Sequence, residues 1–223
     1  MTVPIVTTCN YVTLVGGGDL QSRTLHEVLA LAPYLVAADG AADVALSFNA
    51  TPQAVIGDFD SLGADARDTI PDDRFFHIPE QNSTDFEKCL SRIKAPVVLA
   101  LGFMGARLDH ELAVYSVLMR YPQQRCIVVG ECDICLHVPE GISLDLEPGT
   151  RVSLFPFGQV TGTSTGLRWP IQGIEFAPNG RIGTSNEATK ARVSLDFDGP
   201  GMLLILPRNC LGAVIAAIAP PKG

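Results

Sequence analysis

Asp58 and Asp60 stand two residues apart in Gly57-Asp58-Phe59-Asp60-Ser61. On extended chain both side chains point the same way. Two carboxylates brought together repel unless a proton or a cation lies between them. Mg²⁺ takes oxygen ligands and is held by one or two carboxylates together with substrate phosphates. Asp85 is the natural third member, at the first position of a helix whose start is marked by the capping-box spacing of Thr84 and Glu87. The plainer reading makes Asp58 and Asp60 a solvated turn and Asp85 a partner for the helix dipole. Gly102-x-x-Gly105-x-Arg107-x-Asp109-His110 opens a second helix. There glycines allow close backbone approach, the helix N-terminus favours an anion, and Arg107 can fork a phosphate. His110 has the titration range for acid–base work near neutral pH. The plainer alternative is a strand-to-helix turn with an exposed Arg and a structural His.

Two nucleotide-binding motifs are excluded. The lysines are 88, 94, 190 and 222, and none follows a G-x-x-x-x-G, so there is no Walker A loop. Gly16-Gly17-Gly18 is not a dinucleotide fingerprint, because Gln21 stands where the third glycine is required. Trp169, the only tryptophan, sits in Thr165-Gly166-Leu167-Arg168-Trp169. Its indole is either a core filler or, if partly exposed, a stacking face for a flat or cationic heteroaromatic. Gly183 to Glu187 is polar and loop-like, a source of hydrogen bonds or only a turn. Cys132 and Cys135 form one C-x-x-C pair near His137 with no matching second pair, so the six cysteines read as small buried side chains and not as a zinc site.

These residues need a scaffold that collects them. Apolar runs at Tyr11–Val15, Tyr34–Ala38, Ala54–Ile56, Phe75–Ile78, Val97–Leu101 and Cys126–Val129 read as strands. Helical spacing appears over Ser22–Leu31, Ala41–Phe48, Thr84–Ile93 and Arg107–Met119. Strands alternating with helices predict a mostly parallel sheet covered on both faces. Gly16–Asp19, Asp39-Gly40, Asp58/Asp60 and Gly102–Arg107 each follow one of these strands, at the edge where open parallel sheets bind ligands. From about Ile134 the pattern becomes short strands with partial alternation, at Ile142, Arg151, Ala191 and Met202, between turns such as Pro148-Gly149 and Asn179-Gly180. No helix is apparent there, and a β-sandwich or barrel is expected. The fold class is therefore α/β: an N-terminal mostly parallel sheet flanked by helices over 1–138, and a C-terminal all-β sandwich over 139–223.

The chain has 223 residues, is 47% hydrophobic and carries a net charge of −8. That length allows one large domain or two small ones with a real core. The acidic balance argues against a nucleic-acid partner. The first ten residues carry no Lys or Arg, and Leu211–Ala219 is far shorter than the roughly 20 residues that span a bilayer. A cytoplasmic protein without a membrane partner is expected.

Taken in order, Ala38-Asp39-Gly40-Ala41, Gly57-Asp58-Phe59-Asp60-Ser61, Gln81-x-x-Thr84-Asp85-Phe86-Glu87-Lys88, the Gly102–His110 motif, Thr165–Trp169 and Ser185-Asn186 resemble thiamine pyrophosphokinases. The resemblance implies an α/β nucleotide domain, a thiamine-binding β-sandwich and a homodimer. It implies Mg²⁺ and ATP as co-substrate, thiamine as acceptor, and thiamine diphosphate and AMP as products. Carried over, Asp58, Asp60 and Asp85 are the Mg²⁺ and phosphate-side carboxylates, and with Arg107 they are the catalytic set. Asp39, Gly40, Gln81, Thr84, Lys88, Gly102, Gly105, Arg107, Asp109 and His110 belong to the nucleotide side. Trp169 is the thiamine-stacking residue, with Ser185 and Asn186 beside it, near the dimer interface. The chain departs from the family pattern at Ala41 and Ala106, where glycine is common, and at Asn82, where an acid is common. A related pyrophosphokinase or metal-dependent phosphohydrolase acting on another acceptor, and a non-catalytic thiamine- or nucleotide-binding regulator, are the competing readings.

Overall fold

In the computed structural model, which describes residues 3–220, strands and helices alternate through the first part of the chain. They are β1 Val6–Thr7, β2 Val12–Val15, α1 Ser22–Leu31, β3 Tyr34–Ala38, α2 Ala41–Ser47, β4 Ala54–Gly57, α3 Ala64–Thr69, β5 Phe75–His77, α4 Asp85–Leu90, β6 Ile93–Lys94, β7 Val98–Leu101, α5 Leu108–Arg120 and β8 Cys126–Val129. Strands then dominate: β9 Asp133–His137, β10 Gly141–Asp145, β11 Arg151–Pro156, β12 Val160–Thr165, β13 Glu175–Phe176, β14 Gly183–Glu187, β15 Arg192–Phe197 and β16 Met202–Pro207, followed by α6 Leu211–Ile218. The fold is mixed α/β. The chain divides into two compact units, one reaching to Val117 and including Val128–Glu131, the other comprising Leu118–Ile127 and the chain from Cys132 on. Among the described residues no helix is long and apolar enough to cross a membrane.

In the first unit, β7, β2, β3, β4 and β5 pair in parallel in that order. Every residue of β2, β4 and β7 is buried. Strands covered on both faces need such unbroken apolar runs, and each fully buried Val or Leu contributes about 1.5–3 kcal/mol. Thr13 is the polar exception in β2, and its hydroxyl donates to the Ala32 carbonyl at 2.6 Å. Small residues let α2 and α3 approach the sheet: Ala37, Ala42, Val55, Ala66 and Ile70 form one cluster, with Phe59, Leu62 and Phe75 packed on it. The register pairs Val15 with Ala37 and Leu101, and Ala38 with Ile56. These strands therefore end nearly level, and the chain leaves them at Gly16, Asp39, Asp58 and Gly102 on one edge of the sheet.

Within the second unit the strands pair antiparallel. β14, β11, β16 and β9 neighbour one another in that order, and β10, β15, β12 and β13 form a separate sheet. β15 alternates, burying Val193, Leu195 and Phe197 and turning Arg192 and Asp196 outward. Opposite it, β10 buries Ile142 and Leu144. Two local expectations are corrected. Gly183–Glu187 is a strand and not a loop, because its backbone pairs with β11 although its side chains are polar. Leu211–Ile218, in the region expected to hold no helix, is α6, which buries Leu211, Val214 and Ile218. Its uniformly apolar sequence carries no period, and a short run of that kind does not separate strand from helix.

Candidate active site

Asp39, Asp58 and Asp60 converge at the ends of β3 and β4, each offering a carboxylate oxygen within 4.8 Å of the others. The backbone arranges this. Asp39 takes φ 48°, a left-handed conformation that Asp tolerates better than most residues, and its N–H donates to the Ile56 carbonyl at 3.0 Å. A Cβ on Gly57 would stand 2.7 Å from the Asp39 Cβ, so a larger residue there would push Asp39 away. Between the other two acids the chain is not extended: Phe59 has φ 65°. A bulky residue pays for such a conformation. Phe59 is held in it by edge contact with Phe75 and stacking near His77, centroids 5.6 and 5.4 Å apart.

Asp39 is 2% exposed. Its Oδ2 accepts from the Ser61 hydroxyl at 3.1 Å, while its buried Oδ1 has no hydrogen-bond partner. Burial raises its pKa to about 6; the Ser61 bond opposes the rise, and the charges of Asp85 and Asp58 add to it. Asp58 differs. Its Oδ2 accepts from Lys88 Nζ and from Gln81 Nε2, both at 2.7 Å. The Lys88 bond holds its carboxyl well below the usual range, against the effect of burial. Lys88 is itself buried, which disfavours its charge, yet Asp58 and Asp85 together raise its pKa. Asp85 lies 3.4 Å from Lys88 Nζ and is not among the three converging carboxylates. It opens α4, where the Thr84 hydroxyl accepts from Glu87 N at 3.4 Å as the capping-box spacing predicts. The oxygen-only donor set and the unpartnered Asp39 Oδ1 fit a hard divalent cation.

Beside the acids lies a cavity of about 250 Å³ lined by Gly16–Gly18, Ala38, Thr84–Phe86, Gly102–Met104, Ala106, Arg107, His110 and Val114. Two glycine segments meet in its wall. Gly102 has φ 69°, and a Cβ on it would lie 2.4 Å from the Gly16 carbonyl; Gly18 N donates to Gly102 O at 2.8 Å. Phe86 and Phe103 pack at 4.8 Å between centroids and give the wall an apolar part. Gly105 N–H donates to Glu111 at 2.9 Å. Arg107 is exposed and forms a two-pronged pair with Asp109, with bonds of 3.2 and 2.7 Å. That pair raises the Arg107 pKa and lowers that of Asp109.

In the second unit Trp169 is 54% exposed, so it is a surface indole and not a core filler. Buried Asn186 fixes its backbone from both sides: the amide oxygen accepts from Trp169 N at 3.2 Å and Nδ2 donates to Trp169 O at 2.7 Å. The Arg168 guanidinium lies 5.1 Å from the ring centroid and pairs with Glu187. A small cavity of about 120 Å³ runs from Trp169 along Ile171, Phe176, Gly183, Thr184 and Asn186. Ser185, with φ 60°, is exposed and donates its N–H to the Ser153 hydroxyl at 3.0 Å.

The departures from the expected pattern fall in different settings. Ala41 is buried at the start of α2. Ala106 lines the cavity. Asn82 is exposed and donates its N–H to Glu80, whose carboxylate also accepts from Ser83 N. The sequence named Asp39 without placing its carboxylate against Asp58. The signal was there: Asp39 and Asp58 follow adjacent strands. The role of Phe86 and Phe103 had no sequence signal.

The family model "Thiamin pyrophosphokinase, catalytic domain" matches residues 25–129, and "Thiamin pyrophosphokinase, vitamin B1 binding domain" matches 137–201. Thiamin pyrophosphokinase 1 of Caenorhabditis elegans is 30% identical over 184 residues, 74% of this chain and 75% of the relative. Thiamine pyrophosphokinase 1 of Arabidopsis thaliana is 28% identical, and the match covers 66% of this chain and 62% of that protein. The crystal structure of thiamin pyrophosphokinase from Geobacillus thermodenitrificans superposes with TM-score 0.73 at 23% identity, covering 88% of this chain and 96% of that one. Thiamin pyrophosphokinase from Candida albicans gives TM-score 0.77 at 14% identity, covering 89% of each chain. Likeness at these identities speaks for the fold.

Proposed function

The chain belongs to the thiamine pyrophosphokinase family, and on that footing we propose that it transfers the pyrophosphoryl group of ATP to the hydroxyl of thiamine, releasing thiamine diphosphate and AMP. The acceptor hydroxyl attacks the β-phosphorus in line with the departing AMP oxygen. The observation that carries the reading is the convergence of Asp39, Asp58 and Asp60 at strand ends next to a glycine-walled cavity. Asp58, Asp60 and Asp85 would hold Mg²⁺ on the acidic edge, where it would neutralise the charge that spreads over the phosphate oxygens. Lys88 keeps Asp58 ionised and aimed. Arg107 exchanges its exposed partner Asp109 for a phosphate, and the start of α5 adds its dipole. Gln81, Thr84, Gly102, Gly105 and His110 shape the nucleotide side, as do Asp39 and Gly40. Reactions of this kind depend on positioning and electrostatics.

The acceptor belongs on the second unit, where the exposed indole of Trp169 offers a stacking face to a cationic heteroaromatic. Ser185 and Asn186 neighbour it. We further propose a sandwich arrangement of the second unit's strands with a domain change near residue 138, a homodimer, and a cytoplasmic location. The test is purified protein with ATP, Mg²⁺ and thiamine, products separated chromatographically. AMP and thiamine diphosphate in equal amounts are expected. Phosphate released without thiamine would make the protein a phosphohydrolase, and binding of both ligands without AMP would make it a regulator.

A further inference from the structure

We propose that Glu111 is a positioning residue for the nucleotide: its carboxylate latches the loop that carries Arg107 onto α5. The proposal rests on the reading of the glycine-walled cavity as the nucleotide site. Three observations carry it. Glu111 Oε2 accepts from the Gly105 N–H at 2.9 Å, reaching back past the start of α5 into the loop. Glu111 Oε1 accepts from the Tyr115 hydroxyl at 2.5 Å, and Tyr115 stands four residues on, along the same face of α5. One carboxylate thus ties loop to helix with both of its oxygens. The third observation is what the latch holds. Gly105 has φ 100°, in a region that glycine enters readily and other residues avoid. Its neighbours Met104, Ala106 and Arg107 line the cavity. Glycine brings the most backbone freedom to be lost, so such a loop is ordered by its contacts, and order missing beforehand is subtracted from ligand affinity. The two acids at the start of α5 therefore differ. Asp109 holds Arg107 through an exposed pair that a phosphate can replace. Glu111 is partly buried, is secured by Tyr115, and holds a backbone N–H that stays where it is. In Glu111→Gln both bonds survive without the charge: the amide oxygen accepts from Gly105 N–H, and Nε2 donates to the Tyr115 oxygen. In Glu111→Ala both are lost.

The full chain is digested with trypsin under native conditions, and cleavage after the exposed Arg107 is followed by mass spectrometry. Glu111→Ala is expected to speed that cut at least about fivefold with cleavage elsewhere unchanged, and Glu111→Gln to digest like the wild type. Binding of a non-hydrolysable ATP analogue with Mg²⁺ is measured by calorimetry. It is expected to weaken about tenfold in Glu111→Ala and less than about threefold in Glu111→Gln. In turnover, KM for ATP rises in Glu111→Ala while KM for thiamine holds. Cleavage that rises alike at every site, or an alanine variant that binds the analogue as the wild type does, overturns the proposal. Tighter binding in both variants also overturns it, since Glu111 would then compete with phosphate for the Gly105 N–H. Failure of the functional reading is separate. It shows in the wild type, as absence of AMP and thiamine diphosphate, whereas the latch is judged by the digestion pattern and by the differences between variants.

Discussion

At the scale of single residues, burial and a neighbouring ammonium set the acids of the site apart. Asp39 and Asp58 are the same side chain a few ångströms apart, yet burial drives one pKa up to about 6 while an ammonium drives the other down. The consequence for stability has a definite sign. Asp39 holds its proton more tightly folded than unfolded, so in metal-free protein its contribution is intact below the ordinary value of 3.8 and is lost as pH rises through about 6. The loss amounts to about 3 kcal/mol. Asp39→Asn is therefore expected to gain stability relative to the wild type between pH 4 and pH 7, measured by urea unfolding with EDTA present. An unchanging difference across that range would show that Asp39 does not titrate with folding. Lys88 is the complementary case. Lys88→Met leaves Asp58 nearly buried without its cation and is expected to cost about 3–5 kcal/mol in the same assay. A loss below 1 kcal/mol would mean that water or Gln81 replaces the ammonium.

At the scale of elements, the strand ends make the site, and their backbones are specialised for it. Ser22–Leu31, Tyr34–Ala38 and Cys126–Val129 form with the bounds that their periodicity and composition indicate, because unbroken apolar runs and a 3.6-residue stripe each allow one comfortable burial. What lay between them was less legible. Asp58 and Asp60 share a face through a left-handed Phe59, where extended chain was expected, and no local preference of Phe encodes that. β14 forms from Gly-Thr-Ser-Asn-Glu because β11 supplies its hydrogen bonds, a partner distant in the chain that pairs Arg151 with Glu187 and Leu154 with Gly183. Gly102 shows how strict these backbones are. Gly102→Ala meets both an unfavourable φ and the Gly16 carbonyl, so a loss of about 1–3 kcal/mol is expected. The check is the urea midpoint, and an unchanged midpoint would show that the two glycine segments part readily.

At the scale of the whole molecule, a net charge of −8 is compatible with polyphosphate chemistry when the positive charge is local. Lys88 is spent on Asp58 and Asp85, which leaves Arg107 and the start of α5 beside the cavity. A cationic acceptor suits the acidic balance. The single exposed Trp169 makes that testable in one signal: thiamine stacking on it is expected to quench the protein's tryptophan emission saturably, and Trp169→Phe to abolish the change. Quenching by thiamine that does not saturate would indicate collisional contact and remove Trp169 from the acceptor site.

The sequence alone determined the alternation of strands and helices, the acids and glycines at strand ends, and the family, since each is written in short-range spacing and in motifs that keep their order. It also named Asp39, Lys88, Trp169 and Asn186 as participants. Only the tertiary structure decided who touches whom. Parallel pairing of β3 with β4 sets Asp39 against Asp58, the turn of α4 gives Lys88 to Asp58 and Asp85, and the pairing around β14 puts Asn186 behind Trp169. Apart from the pair of Lys88 with Asp85 on one turn of α4, those contacts join residues well separated in the chain through backbone geometry and burial, and neither can be read from the identity of a residue by itself.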